Sequence, residues 1–120
     1  MKVGIIRCMQ TEDYCVASRD MVTIREKKDA FDVDEEVVLT GIVTCGGCPG
    51  KKAVLRARLL VAQGADTIAF ASCIGKGTPI GYPCPFAKRM MDLVRNDLGD
   101  DIRILEYTHE AGKPKPEAGC

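Results

Sequence analysis

Cysteine occurs seven times in this chain of 120 residues, as Cys8, Cys15, Cys45, Cys48, Cys73, Cys84 and Cys120, alongside a single histidine, His109. Thiolate and imidazole are the donors that zinc and iron–sulfur centres use. Cys45-Gly46-Gly47-Cys48 has the C-x2-C spacing that grips one tetrahedral metal ion. Its two glycines let the chain turn sharply between the sulfurs. Redox dithiols use the same spacing. In a reducing compartment, this density of cysteine points to metal or redox chemistry more than to structural disulfides. For any one cysteine, a small buried hydrophobe is the plainer reading. Six of the seven, however, fall in loop-like contexts.

Composition narrows the field. A chain of 120 residues with 46% apolar residues can bury one real core. The 17 basic residues cancel the 17 acidic ones. Bulk charge therefore gives no reason to expect nucleic acid or a membrane surface as partner. No apolar run approaches the roughly 20 residues that span a bilayer. The first residues, Met1 to Ile6, are too short for a signal peptide and run straight into a strand. The expectation is a cytoplasmic protein.

Four β-branched apolar runs predict strands over Val3–Arg7, Val37–Thr44, Thr67–Ser72 and Ile102–Tyr107. They lack polar alternation, as strands buried on both faces do. Pro49 to Gly64 and Pro85 to Leu98 carry apolar residues at helical spacing, the second with Phe86, Met90, Leu93, Val94 and Leu98 on one face. Thr11 is placed to cap a further helix reaching Met21 or beyond. The charged stretch Arg25–Asp29 reads as a solvated face. The alternation predicts an α/β three-layer sandwich with a four-stranded, mainly parallel sheet, in flavodoxin-like or thioredoxin-like order. One domain covers residues 1–111. The Pro-, Gly- and Lys-rich residues 112–120 are expected to be a disordered tail, which makes Cys120 a tail thiol.

Each predicted strand ends at a potential donor: Arg7-Cys8, Thr44-Cys45, Ser72-Cys73 and, after the fourth, Thr108-His109. Carboxyl ends of parallel strands share one edge, where open α/β sheets bind ligands. Cys48-Pro49 and Cys84-Pro85 open the two helices, with proline at the first helical position. A helix N-terminus lowers a thiol's pKa and favours the thiolate that binds metal. Cys15 follows the first strand and can fold back to the same rim. With strand order 2-1-3-4, Cys45, Cys8 and Cys73 come from neighbouring strands, and His109 lies on the outer one, where a surface histidine is an equal reading. The Gly-rich connection from Ile74 to Pro83 is neither a P-loop nor a dinucleotide motif. It reads as a cover over the rim, with Lys76 its only charge.

These motifs are shared. The chain resembles the CGGC-domain family through Arg7-Cys8-Met9-Gln10-Thr11, Cys15, Val43-Thr44-Cys45-Gly46-Gly47-Cys48-Pro49-Gly50-Lys51-Lys52, Ala71-Ser72-Cys73-Ile74, Gly77 to Pro85 and Thr108-His109. The resemblance implies a metal site built from cysteines and histidine: Cys8, Cys15, Cys45, Cys48, Cys73, Cys84 and His109. It implies no settled activity. Phe86, after Cys84-Pro85, stands where such proteins can carry a further histidine. The reading is thus a metal-binding protein holding zinc or an iron–sulfur cluster, with redox or electron transfer and a redox protein partner in view. The alternative is a thiol–disulfide oxidoreductase using Cys45 and Cys48. A third reading is a flavodoxin-like binding domain with incidental cysteines. Whether the protein is an enzyme, and whether its edge strand makes a homodimer, stay open.

Overall fold

In a computed structural model, which describes residues 1–78 and 81–110, four strands form one fully parallel sheet. They are β1 (Lys2–Arg7), β2 (Val38–Thr44), β3 (Thr67–Phe70) and β4 (Arg103–Leu105), in the order β2-β1-β3-β4. This is the expected flavodoxin-like order. The central strands carry the core. Val3, Ile5, Ile6, Ile68, Ala69 and Phe70 are fully buried, which explains why β1 and β3 read as unbroken apolar runs.

The main helices are α1 (Ser18–Glu26), α2 (Ala53–Ala62), the four-residue α3 (Ser72–Gly75) and α4 (Ala87–Leu98). The crossover from β1 to β2 runs opposite to those from β2 to β3 and from β3 to β4. Right-handed connections then put α1 on one face of the sheet and α2 with α4 on the other. α2 and α4 do pack together. Gly4 and Gly41 are register partners, and a Cβ on either would lie 2.9 Å from a methyl carbon of Leu60. Their bare backbones let Leu60 seat α2 directly on the sheet.

Several boundaries differ from the expectation. β3 stops at Phe70 because Ala71 caps α3, a short helix that the strand-like sequence conceals. β4 stops at Leu105, before Tyr107. Thr11 caps no long helix. It closes a 3-10 turn over Met9–Thr11, and its hydroxyl donates to the Cys8 carbonyl at 3.0 Å. On α4 the buried residues are Met90, Met91 and Val94, whereas Leu93 is 46% exposed. Residues 25–28 are solvated as expected, and a second 3-10 turn, Asp29–Phe31, plugs the core with Phe31. Among the described residues no helix is long and apolar enough to cross a membrane. The tail 112–120 and Cys120 lie outside the described residues, as does part of the Gly-rich connection.

Candidate functional site

β1 and β2 end side by side, because Arg7 pairs with Thr44 in register. Cys8 and Cys45 follow these two residues, and the Cys45 N–H donates to the Arg7 carbonyl at 2.8 Å. Cys73 enters from the other side of β1, in the first turn of α3. Its sulfur accepts the Cys8 N–H at 3.2 Å. Cys84 returns at the end of the Gly-rich connection, where its N–H donates to the Ile74 carbonyl at 2.8 Å. Cys48 stands exposed beyond the two glycines. Thiolates at Cys8, Cys45, Cys48 and Cys84 would lie close enough to repel one another. The fold thus brings five of the predicted cysteines to one rim, and all five are free thiols.

The turn joining β2 to α2 is held from within. Arg56 donates to the Thr44 carbonyl at 3.1 Å and to its hydroxyl at 2.8 Å. Gly46 has φ +81, and a Cβ there would lie 2.8 Å from Lys52 Cβ. The Cys48–Pro49 bond is cis. α2 begins only at Ala53 with Lys52 as its cap, so proline does not open the helix and Cys48 is not its N-cap. Cys84 likewise precedes Phe86, the cap of α4.

This changes the expected acidity of the thiols. Burial pushes the Cys84 thiol up, with the charges of Cys8, Cys48 and Cys45 adding to it against one N–H from Phe86. Burial pushes Cys8 up too, together with Cys45 and Cys48, against N–H groups of Gln10 and Thr11. Cys73 is raised by burial, opposed by the Cys8 N–H and the Thr11 side chain. Desolvation here outweighs any helix-terminus effect. Without a cation nearby, these three sulfurs keep their protons.

Cys15 and His109 sit behind the rim. Cys15 is 3% exposed; its sulfur accepts the Ala17 N–H at 3.3 Å, and its carbonyl accepts from the Arg7 guanidinium. His109 lies four residues past β4 and is 1% exposed, so the surface reading is overturned. Its Nδ1 faces the Glu110 carbonyl at 2.9 Å. A carbonyl only accepts, so Nδ1 carries a proton. Nε2 then faces Asp20 Oδ1 at 4.0 Å, and neither atom has another hydrogen-bond partner among the described residues. The backbone here hangs on Ser72, whose hydroxyl donates to the His109 carbonyl at 2.5 Å and accepts N–H groups of His109 and Thr108 at 3.0 and 3.2 Å.

Asp20 and Ser72 escaped the sequence reading. Nothing in the spacing of α1 marks Asp20 as buried, yet it is 1% exposed. Burial holds its carboxyl above the usual range, against the Thr108 hydroxyl and the charges of His109 and Arg7. An acid whose folded pKa is raised binds its proton more tightly folded than unfolded. Its contribution to stability is complete below the unfolded value, near pH 4, and is lost as pH rises through the folded one. Asp20→Asn is therefore expected to flatten this fall. Urea unfolding at pH 4 and pH 7 checks it: relative to the variant, the native protein should lose stability between the two. Parallel pH profiles would contradict the assignment.

As the side chains lie, no three His, Cys, Asp or Glu donors among the described residues stand at metal-holding spacing. The donor chemistry nonetheless suits a thiophilic ion. A cavity of about 500 Å³ opens elsewhere, beside α4, between Lys76, Lys88, Met91, Arg95, Glu106 and Tyr107, and contains none of the cysteines. There Lys76 pairs with Glu110 at 3.0 Å and lies 4.9 Å above the Tyr107 ring.

Known proteins share this chain's pattern. The model of the CGGC domain matches residues 2–109. An uncharacterised protein of Methanocaldococcus jannaschii, MJ0582, is 38% identical over all of this chain and 94% of its own length. A second from the same organism, MJ0766, is 33% identical over 42% of this chain and 74% of its own length. No solved structure matches. With its whole sheet and every rim cysteine inside the matched span, the chain belongs to the CGGC-domain family.

Proposed function

We propose that the protein binds a thiophilic metal ion or an iron–sulfur cluster through Cys8, Cys45, Cys48 and Cys84, with Cys73 close behind. The supporting observation is the convergence of these thiols from separate elements onto one sheet edge. Uncharged, the rim is a poor arrangement. Burial and mutual repulsion keep Cys8 and Cys84 protonated. A cation reverses both effects, because it neutralises the thiolates and replaces their lost hydration. Lys76 plays no part in that compensation, since Glu110 and Tyr107 already engage it.

Anaerobic purification with metal analysis and a visible spectrum tests the proposal. A cluster gives a brown protein; zinc gives a colourless one in which cobalt substitution shows thiolate charge-transfer bands. Cys45→Ser should lower the affinity at least ~100-fold, since even losing a partner of a ligand costs about 10–100-fold. Colourless, metal-free protein under these conditions, with cobalt unbound, would refute it.

The dithiol reading has one observation in its favour: Cys48 is exposed and open to a disulfide substrate. Against it, a dithiol needs only two sulfurs, whereas the rim sets Cys8, Cys73 and Cys84 beside them. Disulfide reduction by the metal-free protein, abolished in Cys48→Ser with metal content unchanged, would favour it.

A further inference from the structure

The net charge of zero conceals a polarised molecule. At the edge where the strands begin, Asp34, Glu35, Glu36, Asp66, Asp100 and Asp101 are all exposed. Glu35 pairs there with the N-terminus at 3.3 Å and Arg103 at 3.2 Å. At the opposite edge, around the cysteines, the exposed unpaired cations are Lys51, Lys52, Lys88 and Arg89; the exposed acids on that side are Glu12, Asp13, Glu106 and Glu110, of which Glu106 is taken up by Arg95 and Glu110 by Lys76. Among the described residues these four cations make no ion pair, whereas Arg58, Lys76, Arg95 and Arg103 all do.

Their position is unfavourable for the fold. Lys51 and Lys52 sit at the start of α2, and Lys88 and Arg89 in the first turn of α4; neither first turn holds an acid. A cation at a helix N-terminus opposes the macrodipole by about 0.3–1 kcal/mol. Helix stability alone would place Asp or Glu there. Four unpaired cations instead stand at the two helix starts that follow Cys48 and Cys84, and Lys52 packs against the Gly46 turn.

We infer that this basic collar selects anionic carriers for the cysteine rim: small carboxylate or thiolate complexes of a soft metal ion, rather than hydrated or amine-bound cations. The carrier class rests on the metal-binding reading; the selection for anions does not. In the transfer, the metal ion leaves the carrier's donors for the rim thiolates, the freed anion departs, and the thiol protons pass to solvent. A field of this kind raises encounter rates for anions and is screened by salt.

Two arms test the inference. In the first, metal-free reduced protein reacts with a dianionic disulfide, dithiobis-nitrobenzoate, and with a dicationic one, cystamine, each rate taken relative to a neutral cysteine peptide. The dianion should be favoured about 10-fold at low salt, with the preference largely gone near 1 M salt. The variant K51E/K88E/R89E should invert it. That variant gains acids at helix N-termini, so its helices should be at least as stable, and circular dichroism checks this. Equal relative rates, or a preference that survives the charge reversal, overturn the inference. In the second arm, cobalt is offered as its anionic nitrilotriacetate complex or its cationic tris(aminoethyl)amine complex, and uptake is followed by the thiolate band. Faster uptake from the anion, lost in the variant, supports the carrier class. Equal uptake from both overturns it and leaves the metal centre standing. No uptake from either, with the disulfide preference intact, overturns the metal centre and leaves the selection for anions.

Discussion

Gly77→Ala is expected to take Cys84 out of the rim while the sheet stays folded. A Cβ on Gly77 would stand 2.4 Å from the Pro83 nitrogen and 2.5 Å from the Tyr82 carbonyl carbon, at φ +77. These neighbours are backbone and cannot swing aside. Left-handed strain alone costs an L residue about 1–3 kcal/mol, and the collision adds to it. The loop is closed by the Gly77 carbonyl, which accepts the N–H of Gly81 at 2.6 Å and of Tyr82 at 3.2 Å. Opening the loop relieves the clash and releases Cys84. Alkylation of Cys84, read by mass spectrometry, should quicken several-fold, and metal affinity should fall about 10–100-fold, as for the loss of a supporting partner. Gly81→Ala is the control, because it has φ +75 but nothing within 4 Å of the added carbon. Unchanged protection of Cys84 in Gly77→Ala would show that the loop tolerates the clash.

Ser72→Ala should cost about 3 kcal/mol of unfolding free energy. Ser72 is fully buried, and its oxygen is the acceptor for two backbone N–H groups, those of Thr108 and His109. Removing it strands both. An unsatisfied buried donor costs about 1–3 kcal/mol, while the remaining anchors of this segment, such as the Glu110 N–H to Asp29 at 3.0 Å, limit how far it can move to find new partners. Urea unfolding measures the loss. Because the chain has one histidine, the imidazole NMR signals report directly on whether His109 leaves Asp20. A loss below about 1 kcal/mol, with those signals unmoved, would mean that water replaces the hydroxyl.

Much of the fold was legible in the sequence. Strand order followed from β-branched runs, helical spacing and handedness, and the placement of Cys8, Cys45 and Cys73 followed from parallel topology alone. Local capping was less legible. Cys48-Pro49 carries the signal for a helix start, but the helix waits until Ala53, and a cis bond sits at the proline. Ser72-Cys73 extends an apolar strand pattern, yet Ala71 turns it into a helix. Long-range polar pairs were not legible at all. Asp20 meets His109 because a segment beyond β4 folds back over α1, and neither residue's neighbours announce it. The net charge likewise hid the acidic edge and the basic collar, since composition carries no positions.

The rim cysteines lie tens of residues apart along the chain but within one sheet edge. A metal linking Cys8, Cys45 and Cys84 would close two long loops, each closure removing roughly 3–4 kcal/mol of entropy from the unfolded chain in a cross-link model. The elements so joined are the ends of β1 and β2 and the entry to α4, the non-local connections a parallel sheet makes most slowly. Occupancy and lifetime are then coupled. If the proposed ion is bound, a copy without it would open more often, and proteases would clear it first.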